Sequence, residues 1–254
     1  MLSKFKKRVK NEWHELFQEI TVFEYVLWWV ARILLLCSVV FAHSPEYRLL
    51  DSLNMLACYT MSILRFVVPQ KTFLAKIDFR CQHAINLLEV LGVFGGHLLE
   101  AYSYIPKFDR ILHFLSGPLA IAVGYYIFKA FESSDGKKKY YNPATGTFCA
   151  TGFSFLIIVA WEIQEFISDY YIGSHNQGYY YAPGENDIFF KIFGDGAKRG
   201  EGQYPLWDTM MDMIDATVTT VIAAVVLFII LVIIKKRALK KEALEKEKEL
   251  LTAS

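Results

Sequence analysis

Stretches of about 18–22 residues almost free of charge recur along this chain. An α-helix of that length crosses roughly 30 Å of hydrocarbon. Inside lipid every backbone polar group must be satisfied within the chain, so such runs fold as helices packed on helices. The fold class read from them is an all-α polytopic membrane bundle of about six transmembrane helices. They lie at 23–42, 49–68, 83–104, 111–131, 148–168 and 209–234. The composition agrees, with 54% hydrophobic residues and a mean hydropathy of +0.27. The third run is the weakest, because it carries Glu89, His97 and Glu100. A span this polar belongs inside the bundle, and Gly92, Gly95 and Gly96 suit close packing there.

Three regions follow. Residues 1–22 form a basic amphipathic segment, with Lys4, Lys6, Lys7, Arg8 and Lys10 among apolar residues at helical spacing. It suits an anionic leaflet surface. No small-residue cleavage site follows it, so it is not read as a removable signal peptide. Residues 23–234 form the membrane domain, with a long Tyr- and Gly-rich connection at 169–207. That connection is a candidate lid, since long irregular loops are often functional. Residues 235–254 form a charged tail. With six spans and the N-terminus inside, the inner segments hold 19 Lys and Arg and the outer ones 6. The positive-inside rule therefore places both termini in the cytoplasm. A net charge of +1 gives no field that would recruit nucleic acid, and the expected partners are membrane lipids. Cys37, Cys58, Cys81 and Cys149 are scattered, without a CxxC pair, and read as small core residues.

That orientation gathers the chemistry on one side. Asp109 and His113 open the fourth span, four residues apart and on one face. Glu162 and Glu165 share a face near the outer end of the fifth. Asp208, Asp212 and Asp215 share a face at the outer start of the sixth. His97 and Glu100 lie in the outer half of the third. Each carboxylate deep in a span costs roughly 3 kcal/mol on insertion scales. Packed together they also repel one another. A divalent cation removes both penalties, and carboxylates with histidine suit Mg²⁺, Mn²⁺, Zn²⁺ or a two-metal site. The candidate metal ligands are Asp109, His113, Glu162, Asp208 and Asp212. Glu165 or His97 is the candidate general acid or base. A water-filled proton or ion path without a fixed metal, and carboxylates that merely flank the spans, are the other readings.

These residues carry a resemblance. His97, Pro106, Asp109, His113 and Gly117, then Trp161-Glu162-x-x-Glu165, then Trp207-Asp208-Thr209-x-x-Asp212-Met213 are similar to the pattern of the YjdF-like bacterial inner-membrane proteins, predicted membrane proteins of unknown function. More loosely, the Asp-x-x-x-His start of a span resembles VanZ-like membrane proteins, associated with glycopeptide resistance. The resemblance covers about residues 85–234. Tyr204-Pro205-Leu206 departs from it, where an acidic residue is expected close by. It implies a multi-pass protein of a bacterial plasma membrane and supplies no reaction, so function has to come from the site.

The leading expectation is a metal-dependent hydrolase or transferase acting on a lipid-linked or envelope substrate at the outer face. The alternatives are a proton- or cation-coupled transporter and a non-catalytic factor that binds a lipid headgroup. A transporter needs a route to the cytoplasm. The inner halves of the last three spans, 120–128, 149–158 and 218–234, are almost purely apolar and offer none.

Overall fold

The computed structural model describes residues 2–69, 72–105, 107–132, 141–174, 176–177 and 204–253. Among these the structure is helical: α1 (Leu2–Glu19), α2 (Val22–Val40), α3 (Pro45–Val67), a 3₁₀ turn (Phe73–Lys76), α4 (Phe79–Glu89) running on as a π-helix (Val90–Leu98), α5 (Ala101–Tyr104), α6 (Phe108–Glu132), α7 (Pro143–Ile172) and α8 (Tyr204–Ala253). Most of the 169–207 connection and the lysine run 137–139 lie outside the described residues, as do Pro106 and His175.

Local chemistry sets the helix ends. Thr21 caps α2 with a reciprocal pair of bonds: its hydroxyl accepts from the Glu24 amide at 3.1 Å, and the Glu24 carboxylate accepts from the Thr21 amide at 2.8 Å. Ser44 caps α3 and Asn142 caps α7, each followed by proline at the first helical position. Gly173 closes α7 in the left-handed conformation.

Four helices are long and apolar enough to cross a membrane: Val22–Val40, Phe108–Glu132, Pro143–Ile172 and, within α8, Leu206–Leu251. This is fewer than the six runs read from the sequence. The second and third of those runs correspond to α3 and α4 with its π extension, whose internal charge lowers their hydropathy. They nevertheless run the full height of the bundle. At one end Glu24 pairs with Arg80 at 2.9 Å, Asp78 with Lys129 at 3.7 Å, Phe73 stacks on Phe131, and Trp13 of α1 packs on Phe66. At the other end His43 donates to the Leu98 carbonyl at 2.9 Å, His97 meets Asp51, and Arg110 meets Asp215. The chain therefore alternates in direction through α2, α3, α4, α6, α7 and α8. The N-terminal helix and the charged last part of α8 lie at the same end.

The outside of this bundle is apolar. On α8, Val221, Ile222, Val225, Val226 and Ile229 are each more than half exposed, whereas Asp212 is 1% exposed. That inversion is what lipid as solvent requires, and it would be an aggregation surface in water.

Packing is tightest where α6 meets its two neighbours. A Cβ on Gly117 would stand 2.3 Å from Thr219 Oγ1 and 2.6 Å from the Ala216 carbonyl of α8. One on Gly124 would stand 2.6 Å from the Ala150 carbonyl of α7. Glycine at both points lets three backbones close up. Ser154 and Thr220 then bridge α7 and α8 through their hydroxyls at 3.0 Å, both buried. Of the glycines expected to pack, Gly96 has Tyr102 against it, while Gly92 and Gly95 have ordinary clearance.

Candidate metal centre

Three helix segments meet at the end of the bundle that holds the α2–α3 turn. Asp109 and His113 stand in the first turns of α6. Pro118, one turn further, removes the amide that would bond the Phe114 carbonyl, and Ser116 turns back to donate to the His113 carbonyl at 2.7 Å. Glu162 and Glu165 come from the last part of α7, and Asp208 and Asp212 from the first turns of α8. The close approach at Gly117 brings α8 to within reach of His113.

His113 is 5% exposed and central. Its Nδ1 lies 3.6 Å from Glu162 Oε1, and its Nε2 lies 3.7 Å from Asp109 Oδ1 and 3.9 Å from Asp212 Oδ2. These separations are too long for hydrogen bonds. Three overlapping groups each offer ligand atoms within 4.8 Å of one another: Asp109, His113 and Glu165; His113, Glu162 and Asp212; Asp109, Asp208 and Asp212. Asp109, His113 and Asp212 each occur in two of them, so the six residues form one connected set.

The hydrogen bonding inside the set is incomplete. Both oxygens of Glu162 and Oδ1 of Asp212 are buried without a hydrogen-bond partner among the described residues. Glu165 is different, because Oε1 accepts from Trp161 Nε1 at 2.6 Å. Arg110, which follows Asp109, grips Asp215 with two bonds, at 2.7 and 2.9 Å. Asp215 thus belongs to an ion pair beside the cluster and not to the cluster.

A cavity of about 60 Å³ opens from Asp109 and His113 between α4 and α7. Tyr102, Trp161, Leu88, Leu112, Ile157 and Ile158 line it as well. That volume holds a few water molecules.

His97 lies apart from the cluster. Its Nδ1 donates to Asp51 Oδ1 at 2.7 Å, and its ring stacks on Tyr47 with centroids 4.5 Å apart. The Tyr102 ring also packs against His97 and lines the cavity beside Asp109. Sequence reasoning passed over Arg110, Tyr102 and Asp51 as functional residues. Arg110 follows Asp109 directly, and a basic residue next to the first acidic ligand was the available signal. Asp169, next to the cluster on α7, folds back the following turn by accepting from the Ser174 hydroxyl and the Asn176 and Gln177 amides. Gln177 in turn donates to Thr209 of α8 at 3.0 Å.

A family model for predicted membrane proteins, DUF2238, matches residues 25–232. The chain belongs to the DUF2238 family. The match spans every helix that contributes to the cluster and is consistent with the YjdF-like resemblance. It also takes in α2 and α3, where that resemblance had no motif. No curated protein and no solved structure matches the chain. As a DUF2238 protein this chain is a membrane protein, and its apolar surface contacts lipid.

Proposed function

We propose that Asp109, His113, Glu162, Asp208 and Asp212 bind one or two divalent metal ions, and that the protein is a metal-dependent membrane hydrolase or transferase. The observation that carries this is the set of buried oxygens on Glu162 and Asp212 without a hydrogen-bond partner among the described residues. A buried polar group left unmade costs roughly 1–3 kcal/mol, and more when charged. Five carboxylates grouped around one imidazole offset that cost, in this reading, by coordinating a cation. Oxygen-rich ligation with a single histidine fits Mg²⁺, Mn²⁺ or Zn²⁺.

When bound, such an ion activates water or polarises a phosphoryl or acyl oxygen. The chain's own residues supply the rest. Glu165, whose carboxylate accepts from Trp161 and lies by Asp109 and His113, takes or returns a proton in this reading. The exposed apolar residues beside the cluster, Ile111, Phe114, Ile163 and Met210, suit a lipid-linked substrate whose head reaches the cluster while its tail stays in hydrocarbon. With the positive-inside orientation, the cluster faces the outer leaflet of a bacterial plasma membrane.

Elemental analysis of the purified, detergent-solubilised protein tests this. Near-stoichiometric metal is expected in the wild type and should be lost from both Glu162→Ala and Asp212→Ala. A wild type that retains no metal after incubation with Mg²⁺, Mn²⁺ or Zn²⁺ ends the metalloenzyme reading.

A further inference from the structure

The helices α2, α3 and α4 hold a second line of buried polar groups that the metal centre does not use. On α4, His83, Asn86 and Glu89 follow at i, i+3 and i+6, so they share a face. His83 Nε2, Asn86 Nδ2 and Glu89 Oε2 are each buried without a hydrogen-bond partner among the described residues. Asp51 of α3 is 0% exposed, and its Oδ2 is unpartnered in the same way while Oδ1 holds His97. Asn86 is 2% exposed. Glu89 and Asp51 lie within electrostatic range of each other.

The line reaches both ends of the bundle. At one end His83 is within range of Glu24 and Arg80, the surface pair that ties α2 to α4. At the other, His97 stacks on Tyr47, and its side chain is 10% exposed. From His83 to His97 the helix rises roughly 20 Å, most of the hydrocarbon thickness.

Charge counting shows what the line holds. Arg32 of α2 is buried over the Trp28 ring and donates to the Trp28 and Cys58 carbonyls. Tyr59 donates to the Arg32 carbonyl, and the Tyr102 ring packs against His97. Against the one guanidinium stand two carboxyl groups, Asp51 and Glu89. The group is neutral when one further proton resides among His97, Asp51 and Glu89. Four unpartnered buried atoms, three on one face of α4 and one on α3, are groups that ordered water satisfies. Ionisable residues at this depth mark proton and ion routes.

We propose that His83, Glu89, Asp51 and His97, linked by water at their unpartnered atoms, form a proton-transfer line through α2, α3 and α4. In each step a proton leaves a carboxyl or imidazolium group for the adjacent water as that water gives another to the next acceptor. No electrons move, and the net change is one proton carried along the line. Asn86 orients water and does not titrate. None of these four residues is a proposed metal ligand, and α4 packs through Cys81 and Ala84 on Val123 of α6.

The test is proton entry into vesicles of phosphatidylethanolamine and phosphatidylglycerol that contain the full-length protein and a trapped pH-sensitive dye. A potassium diffusion potential set with valinomycin supplies the driving force. The wild type should acidify the lumen faster than protein-free vesicles, with or without a chelator. Glu89→Gln and His83→Gln should each fall to the protein-free rate. A wild type no faster than protein-free vesicles overturns the proposal. So do variants that elute as folded protein and conduct like the wild type. If one of the two does not fold, the other decides.

Discussion

Arg110 and His113 stand almost one turn apart on α6 and treat charge in opposite ways. Arg110 neutralises Asp215 through two short bonds, with both side chains less than one-fifth exposed. His113 sits among three carboxylates without bonding any of them. Removing the arginine strands a mostly buried carboxylate, so Arg110→Ala should cost roughly 3 kcal/mol. Arg110→Ala combined with Asp215→Asn should recover part of that loss. Thermal unfolding in detergent measures both, and additive losses in the double variant would show that the pair is not coupled. Spacing made the stripes on α6, α7 and α8 legible, since i,i+3 and i,i+4 neighbours share a face whatever the tertiary structure. It could not reveal Arg110 with Asp215 or His97 with Asp51. Those pairs join positions 105 and 46 residues apart, where periodicity carries no information. For the same reason the span read at 49–68 gave no sign that Asp51 within it is fully buried.

At the scale of elements, the helices were legible where apolar runs were long and pure, and less so where the bundle hides polarity. The helix through α4 pays for its buried charge in hydropathy, and its π-helical end was not legible at all. There the Leu99 amide bonds back five residues to Phe94 at 3.0 Å, in place of the usual four, and Glu100 then turns left-handed with φ 53°. Those two features end the helix below the expected boundary at residue 104 and aim His97 at α3. The contact of α6 with α7 depends on one glycine. Gly124→Ala would force its new methyl against a backbone carbonyl and should cost roughly 1–3 kcal/mol. Gly152, on α7, has nothing within 4 Å of its would-be Cβ. Gly152→Ala should therefore be neutral or gain up to about 1 kcal/mol from helix propensity. Melting temperatures of the two variants should move in opposite directions or differ clearly. Equal losses would mean that the α6–α7 approach is not what Gly124 serves.

For the whole molecule, one topological fact controls what the cluster can meet. The direction of the chain alternates through six helices, so every ligand-bearing segment falls at one end, and the basic N-terminal helix and the tail fall at the other. With the basic end inside, a green fluorescent protein fused after Ser254 should fluoresce and alkaline phosphatase fused there should be inactive. The reverse result would put the cluster in the cytoplasm and with it a different set of substrates. A further consequence concerns α8. From Leu206 to Ala253 it contains neither glycine nor proline, and the whole helix would measure about 75 Å, far more than a bilayer core. Asp208 and Asp212 stand at one tip of a rod whose other tip, rich in lysine and glutamate, projects clear of the bundle. With no glycine or proline joint between them, a displacement of that tip would be carried along the helix to the acidic residues, as a turn of the hand is carried along a key.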